Sequence, residues 1–476
     1  MAAHMGPMDL TKKFSLLLLL ALTSLPSVAA SAEFKGGVSS GVSYTDNVLL
    51  NVSPTEVDEI IYQASPFFSF NHESPNFDSS VSYSFDWYRY SDLKSTSKYH
   101  RGDAIVTGKA WQDTLLVELG ARRSQRLGDP NEVIPGGRFF NSGNLVDQDE
   151  WWLNPRLVRD LGGGIQLSAN YRFAKYQRDD SRYQDGTNNS GAMSFDNYRV
   201  GTGLTWALRY GWRRAEFEVS APWENQQATA EVGYWVNAKT RVLAAGGKES
   251  DWLNPFDPSM EDTFWEAGFA YLSGENLLVE LAAGERSFGS TWRGKLDYKF
   301  RKGNTKLSYS ESPTTQDFTQ TVPLLNTLNP ADLEDFLSAP GSPDRYISSR
   351  FEWTLNVELR RTEIGIRIFD EDRSERIDAL GSTLDDQAQT GVAVDFSWQA
   401  GVRTELSVTG STVDRETSSG AKSTYKSAGL NIKYRLGSRS DISLGYRYDD
   451  EEPRGEARRS RDYVANTVSL LFTFTI

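Results

Sequence analysis

The sequence predicts an all-β fold, a transmembrane antiparallel outer-membrane β-barrel of about 22 strands. Three observations lead to this fold class: an amphipathic strand at the C-terminus, a secretory leader at the N-terminus, and a regular succession of short turns and long polar segments. Hydropathy alone does not reveal such strands, because their lipid-facing and lumen-facing residues alternate and average to neutral.

The last segment of the chain alternates between apolar and polar residues up to its final residue. Residues 463–476 read YVANTVSLLFTFTI. One side would carry Val468, Leu470, Phe472, Phe474 and Ile476, and the other side Ser469, Thr473 and Thr475. An exposed apolar edge strand promotes aggregation in water. It is typical of the closing strand of a barrel, which meets lipid on one face and pairs with the first strand.

The first 32 residues have the pattern of a secretory signal peptide. Lys12 and Lys13 precede an apolar run at 14–22, and Ala30-Ser31-Ala32 follows as a small-x-small cleavage site. The apolar run is too short for a membrane-spanning helix. We therefore expect 1–32 to be a signal peptide and 33–476 to form the barrel, with no N-terminal plug domain.

The composition is polar for a membrane protein. The mean hydropathy is −0.51, the formal charge is −13, and aromatic residues make up 12% of the chain. The absence of Cys excludes thiolate chemistry. The acidic balance argues against nucleic acid as a partner.

Ten short connections divide the chain into strands. They lie at 73–76, 111–114, 160–164, 209–211, 237–240, 273–276, 301–304, 360–362, 399–401 and 436–440. Most carry Gly, Asn, Asp or Pro, which tight hairpins favour. Long polar segments alternate with them at 128–145, 179–191, 248–259, 316–344, 372–385 and 449–460. With a first and a last strand added, the count is about 22, an even number with both termini periplasmic. The weak break at 222–227 leaves 18 or 20 strands as alternatives.

Alternation within single segments supports this division. In 347–359 the apolar Phe351, Trp353 and Leu355 are interleaved with charged and polar residues, and 292–301 follows the same rule. A soluble β-sandwich also alternates, but it does not need hairpins of about ten or more residues per strand along the whole chain. Aromatic residues close to the strand ends fit the girdles of a membrane barrel.

A short motif in the first predicted strand resembles a known family. Residues 41–48 read GVSYTDNV, a polar loop follows, and Ser65-Pro66 is expected to begin the next strand. This resembles the opening of the PEP-CTERM-system-associated outer-membrane β-barrel proteins, within the wider β-barrel porin 2 family. The resemblance covers the whole barrel in architecture but only this motif in residues. It implies a place among genes for exopolysaccharide synthesis and export, and it supplies no catalytic or ligand residues.

The predicted inner face is rich in charged residues. The pore-lining candidates are Arg156, Arg172, Arg199, Arg293, Arg350, Arg367, Arg403, Arg447, Glu352, Asp395, Tyr88 and Trp152. One interpretation is that opposite charges on neighbouring strands form ion-pair ladders that stiffen a wide barrel. The other is a path for a hydrated, anionic polymer, with Arg side chains binding carboxylates and aromatic rings stacking on sugars. The two interpretations are compatible.

The longest polar segment, 316–344, has a helix signature. Asn329 is an N-cap residue and Pro330 occupies the first helical position. Leu333, Phe336 and Leu337 have the spacing of one apolar helix face. We expect this segment to fold into the lumen as a constriction loop; a cap over the outer rim is the alternative.

Residues that commonly perform catalysis or bind metals are scarce. Beyond the leader the only histidines are His72 and His100, which the predicted strands place at opposite ends of the barrel. We therefore expect no enzymatic activity, no cofactor and no metal site. The acidic runs at 370–372 and 449–452 are expected to be solvated loops rather than calcium sites.

Together with the resemblance, these observations predict a barrel of the cell outer membrane for export of extracellular polysaccharide. The alternatives are a general or solute-selective diffusion porin, and a structural barrel that docks a periplasmic export partner through its short turns. The expected partners are outer-membrane lipid, lipopolysaccharide and the barrel-assembly machinery. An export role adds polysaccharide and periplasmic export proteins.

Overall fold

A computed structural model describes residues 31–111, 114–127, 145–179, 185–197, 202–218, 222–251, 261–315, 345–377, 386–418, 420–454 and 462–476. Within these ranges the chain is a 22-stranded antiparallel sheet in which every strand pairs with its neighbours in sequence. The first strand also pairs with the last, which closes the sheet into a barrel. This is the predicted fold class.

The strands follow one another around the barrel without a crossover. The first eleven are β1 (Ser31–Thr45), β2 (Glu59–Ser74), β3 (Phe77–Tyr90), β4 (Thr96–Ala110), β5 (Leu115–Leu127), β6 (Leu145–Gly162), β7 (Ile165–Arg178), β8 (Gly186–Asp196), β9 (Leu204–Phe217), β10 (Trp223–Trp235) and β11 (Thr240–Asp251). The others are β12 (Glu261–Ser273), β13 (Leu277–Arg286), β14 (Gly289–Phe300), β15 (Gly303–Thr315), β16 (Arg345–Glu358), β17 (Thr362–Ile377), β18 (Gln387–Gln399), β19 (Thr404–Thr417), β20 (Lys422–Arg435), β21 (Ser440–Arg454) and β22 (Tyr463–Thr475). In the described ranges no helix is long and apolar enough to cross a membrane.

The strand register decides which face of the wall each side chain takes, because paired residues on neighbouring strands point to the same side. The outer face carries large apolar residues that are widely exposed, such as Trp292 at 67%, Leu208 at 53% and Val232 at 52%. A continuous apolar surface of this kind would aggregate in water but is buried when lipid surrounds the barrel. The outer face therefore lies in the membrane and the inner face encloses the lumen.

The seam between β1 and β22 joins nine residue pairs, from Gly37 opposite Thr475 to Thr45 opposite Thr467. Its outer face continues the apolar surface, with Val42 opposite Leu470. Glycine is required at Gly41, since a Cβ there would lie 2.2 Å from the carbonyl oxygen of Leu470. The alternation predicted for the C-terminal segment is thus the alternation that closes the barrel.

Nine of the ten predicted turns coincide with connections between the strands described above. The turn predicted at 209–211 is wrong, because these residues lie inside β9 and pair with 227–229 of β10. The connection that replaces it runs from 197 to 203 and ends at Gly203, whose φ is +67°. Correspondingly, β8 begins at Gly186, within the polar segment predicted as a loop at 179–191. Gly211 resembles a turn residue in the sequence, but it is part of a strand.

Several strands extend further into the polar segments than the sequence predicts. β17 runs to Ile377 and β21 to Arg454, although 372–385 and 449–460 were expected to be loops. The extensions are held by ion pairs, such as Arg447 with Asp449 at 2.8 Å and Arg373 with Glu371 at 3.2 Å. Polar strand tips therefore continue the ladder above the apolar band.

Pro66 does not begin a strand as expected but lies in the middle of β2, which starts at Glu59. The pairing of β2 with β3 skips from Ala64 to Phe67, so the ladder is interrupted where Pro66 has no N–H to donate. The signal peptide prediction concerns 1–32, of which 1–30 lie outside the described residues; β1 begins at Ser31.

Asp46 and Asn47 bind the far end of the chain at the seam. The Asp46 carboxylate accepts hydrogen bonds from the backbone N–H and the side-chain amide of Asn466, both at 2.7 Å. The side-chain amide of Asn47 donates to the carbonyl of Val464 at 3.0 Å, and its Oδ1 accepts the Asn51 N–H at 2.8 Å. We call Asp46, Asn47 and Asn466 the seam clasp. The motif that carries the family resemblance therefore fastens the first strand to the last.

We predict that Asp46→Ala destabilises the barrel without changing its strand order. The substitution leaves two donors of Asn466 without their acceptor, which costs about 1–3 kcal/mol of unfolding free energy. Urea unfolding of the refolded protein in detergent, followed by heat-modifiable gel migration, measures the loss. Asp58→Ala is the matched control, because Asp58 lies in the same loop and is exposed. Equal stability of the two variants would contradict a structural role for the clasp.

Candidate functional site

The inner face of the barrel wall is polar and charged along its whole circumference. It is the candidate functional surface, because a solute that crosses the barrel passes along these side chains. Its charged residues include four ion-pair networks and one group of lysines, and the first extracellular loop covers part of its mouth. The ends are assigned by loop length, with the short turns periplasmic.

The largest ion-pair network joins β16 and β17. Arg350 reaches Glu371 at 3.1 Å and Glu352 at 3.2 Å, and Arg367 reaches the other oxygen of Glu352 at 2.8 Å. Arg373 also binds Glu371, which is only 2% exposed. Each carboxylate is therefore shared by two guanidinium groups, an arrangement that fixes the wall and offsets the cost of burying the charges.

Trp152 of β6 lies flat on the inner wall between two arginines. Its indole N–H donates to Glu118 at 2.8 Å, and Glu118 also accepts from Arg156 at 3.3 Å. Arg172 stacks on the ring at 5.2 Å from its centroid. The opposite residue is Gly120, where a Cβ would lie 2.1 Å from the ring. Glycine at that position therefore allows the ring to lie against the wall.

A third network on β9, β10 and β11 borders a cavity of about 670 Å³. Glu231 accepts from Arg209 at 2.7 Å and from Arg241 at 2.8 Å. Arg293 pairs with Glu266 on the same stretch of wall. Two of the carboxylates that border the cavity, Glu231 and Glu266, are thus already neutralised by arginine.

A fourth network is fully buried at the extracellular end of β20 and β21. Asp449, with no exposed surface, accepts from the Tyr425 hydroxyl at 2.5 Å and from Arg447 Nε at 2.8 Å. The network packs beside Tyr463 of β22, which is 1% exposed. It therefore supports the wall near the seam and is not accessible to a solute.

Three lysines on β14 and β15 differ from the arginines of the wall. Lys295, Lys299 and Lys306 face the lumen and are exposed, and no ion pair within 4.0 Å joins them to any described residue. Glu280 and Asp297 are their acidic neighbours in register, but both are half-buried in the wall. The lysine side chains are longer than these two acidic side chains, so their ammonium groups are the first of these charges that a solute in the lumen contacts. We call Lys295, Lys299 and Lys306 the lysine strip.

The first extracellular loop, 46–58, folds into the mouth of the barrel. Val48 has no exposed surface and packs on Ile61, Tyr88 and Tyr90 of the inner wall. On the other side of the seam Leu50 packs on Tyr463 and Ala465. The loop thereby narrows the mouth above β22, β1, β2 and β3. The sequence did not predict this, because the loop has no helix signature.

The neighbouring loop is held by Glu59, a carboxylate with no exposed surface. Its two oxygens accept three backbone N–H groups, those of Ser91, Asp92 and Leu93, at 2.6, 2.9 and 2.9 Å. A carboxylate that receives three amides restrains the loop as a fixed cap of the β3–β4 hairpin. Hydrogen bonds to Glu59 therefore hold the mouth of the barrel in place beside the β3–β4 hairpin.

The register places most of the predicted pore-lining residues on the inner face. These are Arg156, Arg172, Arg293, Arg350, Arg367, Arg447, Glu352, Asp395, Tyr88 and Trp152. Arg403 is not on a strand but in the β18–β19 turn. Arg199 and the constriction-loop candidates Leu333, Phe336 and Leu337 lie outside the described residues. Apart from the half-buried Asp395 and the aromatic rings, the inner-face residues are in ion pairs.

Sequence reasoning named Glu352, the partner of Arg350 and Arg367, but it missed Glu371, Arg373, Glu231, Arg241 and Lys306. Glu371 and Arg373 were hidden by the assumption that a loop begins at 372. Continuing the period of two through the polar segments would have revealed both residues.

No family model matches this chain. No curated protein matches it either. Among solved structures, a mutant of the ferric enterobactin receptor of Pseudomonas aeruginosa is similar, with a TM-score of 0.52, 11% identity, 94% of this chain covered and 81% of the other. The FrpB iron transporter of Neisseria meningitidis is similar with a TM-score of 0.51, 10% identity, 93% of this chain and 81% of the other. These likenesses show the fold, and the barrel lies in the outer membrane.

We predict that Glu371→Gln lowers the stability of the wall. Breaking a buried ion pair typically costs about 3–5 kcal/mol, and the lower end applies here since Arg350 keeps Glu352. Thermal unfolding monitored by circular dichroism in detergent measures the change. Glu363→Gln on the same strand is the control, because Glu363 is exposed and makes no ion pair with a described residue. A loss no larger than that of the control would argue against a bracing role.

Proposed function

We propose that the barrel is a conduit for export of an anionic extracellular polysaccharide. The lysine strip carries the proposal, because it places exposed cations on a wall whose other charges are mostly neutralised in place. The proposal assigns no catalytic step to the chain, and it places the protein among the export-associated barrels that the motif at 41–48 resembles.

Lysine ammonium groups suit a moving anionic polymer. They are flexible point charges without the rigid bidentate geometry of arginine, so a carboxylate or phosphate passes from one to the next without a tightly bound state. Trp152 is 4% exposed and carries Arg172 on its ring, so it belongs to the wall and not to the path. The arginines, held by their own carboxylates, serve as the wall rather than as the path.

The distribution of charge along the axis supports movement outward. The described extracellular connections carry nine acidic residues and one lysine: Asp46, Glu56, Asp58, Asp92, Asp179, Asp185, Glu218, Asp386 and Asp462, with Lys94. An anionic chain is attracted to the lysines inside and repelled by the acidic mouth once it has left. The acidic mouth therefore opposes re-entry of a chain that has already passed it.

The acidic mouth also favours a second candidate, a diffusion porin selective for cations. Negative charge at an entrance raises the local concentration of cations and their rate of entry. The two candidates differ in ion selectivity. The barrel selects cations if the acidic mouth dominates permeation, and anions if the lysine strip dominates it.

We predict that Lys295→Ser, Lys299→Ser and Lys306→Ser together reduce anion permeability. In planar bilayers under a salt gradient the reversal potential should move toward cation selectivity, and cells should secrete less polysaccharide. The control replaces Lys98, Lys175 and Lys248 by Ser, which removes the same charge from the outer face of the wall.

Heat-modifiable migration of both variants confirms assembly. An unchanged reversal potential and unchanged secretion in the lumenal variant would contradict the proposal. A wild-type barrel that is cation-selective, and remains so without the lysines, would favour the porin.

A further inference from the structure

The periplasmic rim carries a one-sided group of basic residues. They are Arg301 and Lys302 in the β14–β15 turn, Arg360 and Arg361 in the β16–β17 turn, Arg403 in the β18–β19 turn, and Arg439 in the β20–β21 turn. All six are exposed, and their side chains have no ion pair or hydrogen bond with any described residue. We call these six residues the basic arc.

The opposite part of the rim lacks such charges. In the turns that follow β2, β4, β6 and β8, the described residues include no Lys or Arg, and the sequence adds only Arg199 beyond them. Between the two parts, the β10–β11 turn has Lys239 and the β12–β13 turn has Glu275. The basic arc is therefore confined to one side of the periplasmic rim. Its successive turns are about 12 Å apart, as the spacing and tilt of two strands imply.

The turns of the basic arc lie at the edge of the apolar band rather than beyond it. Val402, which precedes Arg403, is 90% exposed, and Leu436 in the last of these turns is 48% exposed. Leu359, next to Arg360, is 42% exposed. Apolar residues interleaved with cations place these turns where hydrocarbon meets headgroups. In that zone long basic side chains extend toward the phosphates.

Unpaired like charges at this spacing repel each other and require counterions. Arg360 and Arg361 are adjacent in sequence, as are Arg301 and Lys302, so each pair is well suited to one phosphate group. Zwitterionic headgroups carry their own cation and would leave the repulsion in place. An anionic headgroup supplies the missing negative charge.

We propose that the basic arc binds the phosphate groups of anionic phospholipids in the periplasmic leaflet. The lipids would gather beside β14 to β21 and orient that side of the barrel in the membrane. This interaction does not depend on what passes through the lumen, so it stands apart from the proposed function.

The test compares lipid binding in nanodiscs that contain equal amounts of phosphatidylglycerol and phosphatidylethanolamine. Native mass spectrometry counts each lipid retained by the released barrel. Replacing all six residues of the basic arc by Gln should lower the ratio of phosphatidylglycerol to phosphatidylethanolamine at least about fivefold, since each basic residue near an anionic surface contributes attraction of that order. Replacing its five arginines by Lys keeps the charge and should keep the ratio.

The control variant replaces Lys94, Lys98, Lys175 and Lys239 by Gln, which removes cations outside the basic arc and should leave the ratio unchanged. If the sixfold variant does not assemble, Arg301→Gln with Lys302→Gln and Arg360→Gln with Arg361→Gln are measured separately. A ratio that stays at the wild-type value in the Gln variants overturns the proposal. If the lipid ratio is unchanged but the Gln variants secrete less polysaccharide, the proposal is also overturned and the basic arc is assigned to entry of the polymer. If the ratio is unchanged but the Gln variants no longer bind an acidic periplasmic protein, the basic arc is assigned to a partner protein.

Discussion

Closure of the sheet between β1 and β22 is the constraint on which the other features depend. In hydrocarbon an unpaired backbone N–H or C=O costs several kcal/mol, so an open edge is not tolerated. The nine pairs of the seam remove that edge. Once the sheet is closed, strand number and register determine the width of the lumen and the side to which every residue points.

The two faces of the wall then meet different solvents. Outside, residues such as Trp292 and Leu208 need only be apolar, so they are widely exposed and individually replaceable. Inside, each carboxylate or guanidinium needs a partner, and the partner usually lies across a strand pair or two residues along the same strand, as with Arg350 and Glu371 or Arg447 and Asp449. The wall is thus largely neutral and rigid, which is why a few unpaired lysines stand out from it.

The sequence was sufficient for the architecture, because period-two alternation and turn chemistry are local signals. The outward Phe351 and the inward Arg350 lie where alternation places them. The sequence-based prediction was wrong at 209–211, where Gly211 resembles a turn residue but lies inside β9. It was also wrong beyond Asp372, where the polar end of a strand resembles a loop. It was insufficient for the seam clasp, since no local pattern connects Asp46 with a residue 420 positions away. Whether a charge is paired also depends on register, which a single segment does not encode.

The seam clasp has a consequence for how the chain is made. Asp46 emerges among the first residues of the barrel and Asn466 among the last, so the bonds between them can form only after synthesis is nearly complete. Folding that depends on so distant a contact is slow, because the entropy of closing a long stretch of chain is lost before the contact forms. The packing of Leu50 on Tyr463 likewise requires the last strand, so it forms only in a full-length molecule. A chain that lacks its last strand makes neither contact and leaves an unpaired strand edge that quality-control proteases can reach.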